Sequence, residues 1–339
     1  MNVALDAQLA IGTATGIGEY VRGLQSALRD AGVHVAALYE PRLDPWRFDR
    51  RVIWDQIVLP QRAAATHADL LHCASGTMPL LHPPRTVVTV HDVAWLKVQA
   101  HARPYARYYF GPFALRRYRS AAAIAVDSEF SKRELLDVLD VPGDRVHVVY
   151  PGVARDFCQL ERRPVGEHVV LVPGTVERRK NLEVLIRALP HLRGARIVSV
   201  GPPTPYRAHC ERLADELDVR QRVEFRGYVS RRELLELYAT CAAVAVPSKY
   251  EGFGYAAAQA MCAGVPVAVS DRSSLPEVAQ SAPALSAEDP AAWAQALGAI
   301  FADPVSAEQQ AARGRARSVE RFAWSASASR MIAMYESTM

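Results

Sequence analysis

The chain reads as an α/β protein built from two doubly wound, Rossmann-like domains facing each other across a cleft. Three observations predict this. Short β-branched runs alternate with amphipathic stretches from end to end, the pattern of mostly parallel sheets covered by helices on both faces. The alternation breaks once near the middle and then restarts. A length of 339 residues is long for one core and comfortable for two of about 150 residues each.

In the first half the strand candidates are Asn2-Leu5, His34-Tyr39, Leu70-His72, Thr86-His91, Ala123-Asp127 and Val146-Tyr150, with helical stretches such as Gly18-Ala31 and Ser131-Leu139 between them. The break runs from Tyr150-Pro151-Gly152 through the polar stretch Gln159-Gly166. Val169-Pro173, Arg196-Val200, Val223-Arg226, Ala243-Pro247 and Val265-Ser270 then continue as strands. The expected division is 1–153 for the first domain, 154–315 for the second, and 316–339 for a terminal helix packing back on the first.

Composition narrows the function classes. Half the residues are hydrophobic and 22% charged, ordinary for a globular protein in water. No apolar run approaches the roughly 20 residues of a membrane span, and the N-terminus does not read as a secretion signal. Five scattered cysteines without a Cys-x-x-Cys pair fit reduced thiols in the cytoplasm rather than a disulfide framework or zinc site. A net charge of +4 is too mild for a nucleic-acid binder.

Two loops carry the candidate chemistry. Gly12-Thr13-Ala14-Thr15-Gly16-Ile17-Gly18 follows the first strand and opens a helix, where backbone N–H groups can approach a pyrophosphate. The same spacing occurs in short-chain dehydrogenases, but these need a Tyr-x3-Lys pair. The residues four before the four lysines are Val93, Ser128, Val176 and Ala245, which leaves the dehydrogenase a distant alternative. The second loop is Pro247-Ser248-Lys249-Tyr250-Glu251-Gly252-Phe253-Gly254-Tyr255, running into a helix that carries Gln259. A strand, a turn holding a carboxylate, two glycines around an aromatic and a helix start make a phosphate cradle from the N–H groups of Phe253, Gly254 and Tyr255. Glu251 can accept from sugar hydroxyls, and Gln259, about two helical turns on, can reach a ribose.

This second loop resembles the signature of the retaining glycosyltransferases of family four, of GT-B fold, in which two Glu residues bracket the donor. The resemblance implies that Glu251 contacts the transferred sugar; Gln259 stands where the family's ribose-binding Glu does. Val172-Pro173-Gly174-Thr175-Val176-Glu177-Arg178-Arg179-Lys180-Asn181 resembles the family's Arg-Lys-Asn segment, which implies that Lys180 and Arg179 hold the diphosphate. Thr175 stands where many members have a further Arg. Val87-Val88-Thr89-Val90-His91-Asp92 is similar to the family's strand ending in His-Asp, so His91 is expected at the donor sugar. Gly16 and Gly18 match the opening loop, Trp54-Asp55-Gln56 the acceptor-side segment, and Arg226-Gly227-Tyr228-Val229 the loop meeting the nucleobase, giving Gly227 and Tyr228 as donor contacts.

The resemblance implies retaining transfer of a hexose, mannose above all, from a nucleotide diphospho-sugar to a glycan or lipid-linked acceptor in polysaccharide or lipopolysaccharide assembly. No Asp-x-Asp occurs, so no metal or other cofactor is expected. Gln259 and Thr175 also motivate a second reading, a nucleotide-sugar-binding protein without turnover. The stretch from Arg103 to Phe110, continued by Arg116-Arg117-Tyr118-Arg119, mixes cations with aromatics. It reads either as a contact with the inner face of the cytoplasmic membrane or, with Tyr105, Tyr109 and Phe113 on one helical face, as core.

Overall fold

A computed structural model describes residues 1–12, 16–97, 104–280 and 282–339. Thr13, Ala14 and Thr15 of the opening loop, His101, and Arg103 of the mixed stretch lie outside the described residues. Two compact units form, Met1–Gly152 with Ala323–Met339, and Val153–Phe322.

The first unit contains β1 (Asn2–Asp6), β2 (His34–Leu38), β3 (Leu70–Cys73), β4 (Thr86–Val90), β5 (Ala123–Val126) and β6 (Val146–Val148), in the order β2-β1-β3-β4-β5-β6. All pairs are parallel. The second contains β7 (Val169–Pro173), β8 (Arg196–Val200), β9 (Val223–Gly227), β10 (Ala243–Val246), β11 (Val267–Ser270) and β12 (Ala284–Leu285), in the order β12-β11-β10-β7-β8-β9, again parallel throughout. Eleven of the twelve strands lie where the β-branched runs predict them, with ends moved by one or two residues. The twelfth, β12, spans two residues at the sheet edge, too short for any periodicity to reveal.

Helices cover both faces, so the strands are apolar on both sides. Val3, Leu5, Val87, Val88 and Ile124 in the first sheet, and Leu171, Val198, Val244 and Ala245 in the second, are fully buried. That explains why these strands read as continuous apolar runs rather than alternations. Strand order reverses between β1 and β3 in one unit and between β7 and β10 in the other. At such a switch point the loops leaving the two strands diverge to opposite faces and open a crevice beyond the carboxyl ends.

The tail read as one helix over 316–339 is in fact two, Pro304–Arg321 and Trp324–Glu336, parted at Phe322-Ala323. Only the latter belongs to the first unit. Its Trp324 ring occupies space that a side chain would need at two glycines. A Cβ on Gly23, in the helix Gly16–Asp30, would sit 2.1 Å from the indole, and one on Gly152 would sit 2.3 Å from it. Tyr335 of the same helix reaches His72 Nδ1 at 2.6 Å, and His72 Nε2 lies 2.8 Å from Thr89 Oγ1, which lies 3.1 Å from Tyr20 OH. Burial, aided by the charge of His91, pushes His72 down to about 3, so it stays neutral within this chain. We expect Gly23→Ala to cost about 1–3 kcal/mol of stability through overpacking. In a denaturant titration this cost should shrink sharply when Trp324→Ala is added, since the two changes share one contact.

Candidate functional site

At the switch point of the second sheet the loop after β7 meets the loop after β10. The first passes through a 3-10 turn, Arg178–Lys180, and turns at Asn181, whose φ of +57° is left-handed. Asn181 tolerates this conformation because its short amide bonds locally: Nδ2 donates to the carbonyls of Pro247 (3.0 Å) and Ala287 (2.8 Å). Lys249 N–H donates to the Arg179 carbonyl at 2.8 Å, so the two loops are also tied through their backbones.

Their side chains converge on Glu251, which is only 6% exposed. Oε1 of its carboxylate accepts from Lys180 Nζ at 2.5 Å and from Ser248 Oγ at 2.7 Å. Oε2 accepts from Arg179 Nη1 at 3.1 Å, and Arg179 Nη2 donates to Glu177 Oε1 at 2.7 Å. Burial by itself would push the Glu251 carboxyl up; the two cations and the serine hydroxyl outweigh it and bring it down to about 2. Glu251 is therefore ionised at any ordinary pH, and it lies on the cations rather than apart from them.

Gly252, Phe253 and Gly254 complete the turn. Gly254 takes a φ of +90° just before the helix Tyr255–Ala263, and a Cβ there would fall 2.7 Å from Leu275 Cδ2, so both conformation and space require glycine. Phe253 is buried and packs edge-on against Tyr255 and Phe322. Its ring seats the turn in the core. One turn into the helix and beyond, Gln259 is half-buried and its Oε1 lies 3.3 Å from the Tyr238 hydroxyl, which donates to it. The amide thus has its oxygen engaged within the protein. Gly227 ends β9 with φ +66°, its carbonyl accepting from Gly201 N–H at 2.7 Å, and Tyr228 next to it is 58% exposed.

In the first unit, Gly16 and Gly18 open the helix Gly16–Asp30. His91 follows β4 and faces Asp127, which follows β5: Nδ1 and Oδ2 are 2.7 Å apart, and Nε2 lies 3.1 Å from the Ala74 carbonyl. Burial opposes a charged ring here, but Asp127 outweighs it and raises His91 above its ordinary value. Both nitrogens face acceptors, so the ring fits as an imidazolium donating twice. It offers charge, not a lone pair for taking up a proton.

Trp54-Asp55-Gln56, expected on the acceptor side, sits on a π-helical segment, Trp54–Val58, that turns Trp54 and Asp55 fully inward. Trp54 Nε1 donates to Asp6 Oδ1 (2.9 Å), and Asp55 accepts from Arg51 Nε (3.1 Å) and Tyr109 OH (2.8 Å). Arg51 also donates to Ser75 Oγ (2.5 Å) and to Thr77, which fixes the loop after β3. Only Gln56 is less than fully buried, with Oε1 accepting from Leu80 N–H at 2.9 Å. In the mixed stretch, Tyr109, Arg117 and Tyr118 are core, with the Arg117 guanidinium 4.7 Å over the Tyr109 ring, while Tyr105 and Tyr108 are exposed.

Sequence reasoning missed Asp127 and the serines around Glu251. Asp127 carried one signal, as a carboxylate closing a predicted strand, but its pairing with His91 depends on which strands lie side by side. Ser248, Ser270, Ser273 and Ser274 carry no pattern of their own.

Two doubly wound parallel units, one with a cationic pair and a carboxylate at its switch point, are each matched by a family profile. The profile described as Glycosyltransferase Family 4 matches residues 14–157, and that described as Glycosyl transferases group 1 matches residues 158–317. The chain belongs to this glycosyltransferase family. It is 34% identical over 236 residues to a D-inositol 3-phosphate glycosyltransferase of Xylanimonas cellulosilytica, covering 63% of this chain and 56% of that protein. It is 27% identical over 281 residues to an MMP alpha-(1->4)-mannosyltransferase of Mycolicibacterium hassiacum, covering 79% and 67%. The chain spans about half the length of the D-inositol 3-phosphate glycosyltransferases it matches. Among solved structures, sucrose-phosphate synthase of Thermosynechococcus elongatus superposes with a TM-score of 0.79 at 22% identity over 99% of this chain and 98% of that one. Anabaena HepE in complex with UDP-glucose gives 0.75 at 15% identity over 99% and 100%. These likenesses establish the GT-B fold.

The depressed Glu251 carboxyl has a consequence for stability. Because its folded value is below the unfolded one, near 4.3, its contribution is complete above that pH and is lost as pH falls toward 2. Between pH 6 and pH 3.5 we expect wild type to lose about 1 kcal/mol more unfolding free energy than Glu251→Gln, read from urea titrations at the two pH values.

Proposed function

We propose that the protein transfers a hexose from a nucleotide diphospho-sugar to a hydroxyl of a glycan or lipid-linked glycan, with retention of configuration and without a metal ion. The observation that carries this reading is the convergence of Lys180, Arg179 and Glu251 at the switch point of the second sheet. Such a crevice takes phosphorylated nucleotides, and two fixed cations meet a diphosphate there.

The chemistry follows from charge. As the glycosidic bond breaks, the departing diphosphate gains negative charge, and cations already in place stabilise it most at that moment. Lys180 and Arg179 in this way take the part that a divalent ion plays in metal-dependent transferases. A diphosphate reaching them competes with Glu251, and the carboxylate so released has lone pairs for sugar hydroxyls. The N–H groups of Phe253, Gly254 and Tyr255 sit at a helix start, where the macrodipole favours phosphate. Gly227 and Tyr228 are the proposed base contacts, and Gln259 the proposed ribose contact. In the first unit, Gly16, Gly18 and the charged His91 are the proposed sugar-side groups.

GDP-mannose is the donor we favour, supported by the mannosyltransferase relative; UDP-glucose, named with the HepE neighbour, is the competing donor. None of the described helices is long and apolar enough to cross a membrane. Exposed Tyr105 and Tyr108, with exposed Arg107, Arg116 and Arg119 nearby in sequence, support contact with an anionic membrane surface carrying a lipid-linked acceptor. The engaged oxygen of Gln259 keeps a second reading in play, a nucleotide-sugar binder without turnover.

A thermal-shift panel of nucleotide-sugars identifies the donor, and its slow hydrolysis without acceptor separates enzyme from binder. Lys180→Ala should lower kcat by about 10²–10³ while weakening donor binding far less; a kcat within threefold of wild type would misplace the phosphate site. Single-turnover transfer should continue in EDTA; its loss, restored by manganese, would overturn the metal-free mechanism.

A further inference from the structure

Glu251 is held by more than its ion pairs. The segment that follows β11, Asp271-Arg272-Ser273-Ser274-Leu275, runs beside the turn that carries Glu251 and bonds to it repeatedly. Glu251 N–H donates to Ser273 Oγ at 2.9 Å, and Ser274 Oγ donates to the Glu251 carbonyl at 2.9 Å. Ser270 Oγ donates to the Ser248 carbonyl at 2.5 Å, while Ser248 Oγ donates to the Glu251 carboxylate itself. Leu275, fully buried, fills the space against Gly254 that a side chain there would need. Both backbone polar groups of Glu251 and one oxygen of its carboxylate are thus bonded to serine hydroxyls.

Two features separate this cage from ordinary loop packing. Ser248, Ser270 and Ser274 are each no more than 1% exposed, so their bonds are made without competition from solvent. Ser273 adopts a φ of +57°, a left-handed conformation unfavourable for a residue with a Cβ and without the amide that eases it for Asn181. In that conformation its Oγ accepts from Glu251 N–H and donates to the Arg272 carbonyl at 2.7 Å. Local strain of this kind persists where the surrounding structure over-determines it, and such sites cluster where geometry serves function.

We propose that Ser273 and Ser274 are positioning residues for the transfer reaction, fixing the Glu251 peptide so that its carboxylate stays aimed at the sugar side of the diphosphate site. The inference rests on the glycosyl-transfer reading given above, but it concerns residues that touch Glu251 rather than the donor. A carboxylate held within a few tenths of an ångström needs no reorganisation as charge develops at the sugar. One on a loose turn drifts from Lys180, Arg179 and Ser248 and from the sugar side alike. The cage therefore acts on the rate of the chemical step and not on the hold of the nucleotide diphosphate, which the cations and helix N–H groups provide.

The test uses Ser273→Gly, alone and with Ser274→Ala, and Ser318→Ala as a comparator that removes a buried hydroxyl from a helix of the same unit. Ser273→Gly removes the hydroxyl and relieves the positive φ at once, so it folds at least as readily as wild type. With the donor found by the thermal-shift panel, kcat should fall about 10-fold in Ser273→Gly and about 100-fold in the double variant. The Kd for the matching nucleoside diphosphate should stay within twofold, and Ser318→Ala should change neither. A kcat within twofold of wild type, or kcat and nucleotide affinity falling together, overturns the proposal. A readout independent of turnover is the titration of the Glu251 carboxyl carbon by NMR, assigned by its loss in Glu251→Gln. Its midpoint should move up by about tenfold in proton concentration in Ser273→Gly, as the carboxylate leaves its partners. An unmoved midpoint overturns the positioning role even if no nucleotide-sugar proves to be a donor, an outcome that would separately defeat the transfer reading.

Discussion

A sheet whose strands all run one way imposes the constraint on which this molecule depends. No two neighbouring strands can be joined by a tight turn, so every connection crosses a face of the sheet, usually as a helix. Every loop that leaves a strand's carboxyl end therefore appears on the same edge. His91 after β4, Asp127 after β5, Arg179 and Lys180 after β7, and Glu251 after β10 all share that origin. The placement of these side chains follows from topology before any of them makes a contact.

Within that frame the second unit solves a charge problem. A carboxylate as buried as Glu251 is costly unless compensated, and two cations placed together repel each other. Each is the other's remedy: Lys180 and Arg179 keep Glu251 ionised, and Glu251 holds them side by side. The serines behind Glu251 add backbone restraint to what charge alone would leave adjustable.

The first unit handles buried polarity differently. Asp6, Arg51, Asp55, Ser75, Thr77 and Tyr109 share a buried set of hydrogen bonds beneath the loop after β3, which leaves Arg51 Nη1 and Asp55 Oδ1 without a hydrogen-bond partner among the described residues, and His72, Thr89, Tyr20 and Tyr335 form a second set beneath β4. Buried networks of this kind are costly when half satisfied and rigid when complete. Here they fix the ground on which His91 stands, and the terminal helix is part of that ground through Tyr335. His91 as an imidazolium between Asp127 and a carbonyl suits the stabilisation of negative charge, not the abstraction of a proton.

Strand positions were legible because burial on both faces leaves apolar β-branched runs, and the two-sheet division was legible because the alternation stops at Pro151-Gly152 and restarts. The Gly252-Phe253-Gly254 turn was legible because a strand, two glycines and a helix start follow one another in a short stretch, and the Arg179-Lys180 pair because its segment resembles a family motif. The break in the tail at Phe322-Ala323 was not, since helical spacing continues through it and only packing parts it. Nor was the inward turn of Trp54-Asp55, which depends on a π-helical segment that no pattern announces. The ion cluster at Glu251, the Asp127 partner of His91 and the serine cage were also beyond the sequence. Each joins residues some 20 to 70 positions apart, and their meeting is decided by which strands lie side by side. Periodicity and turn chemistry act over a few neighbouring residues, so the sequence by itself determined the elements and the glycine turn that opens the helix after β10. The order of strands in each sheet, a property only of the folded chain, decided which charges would share a site.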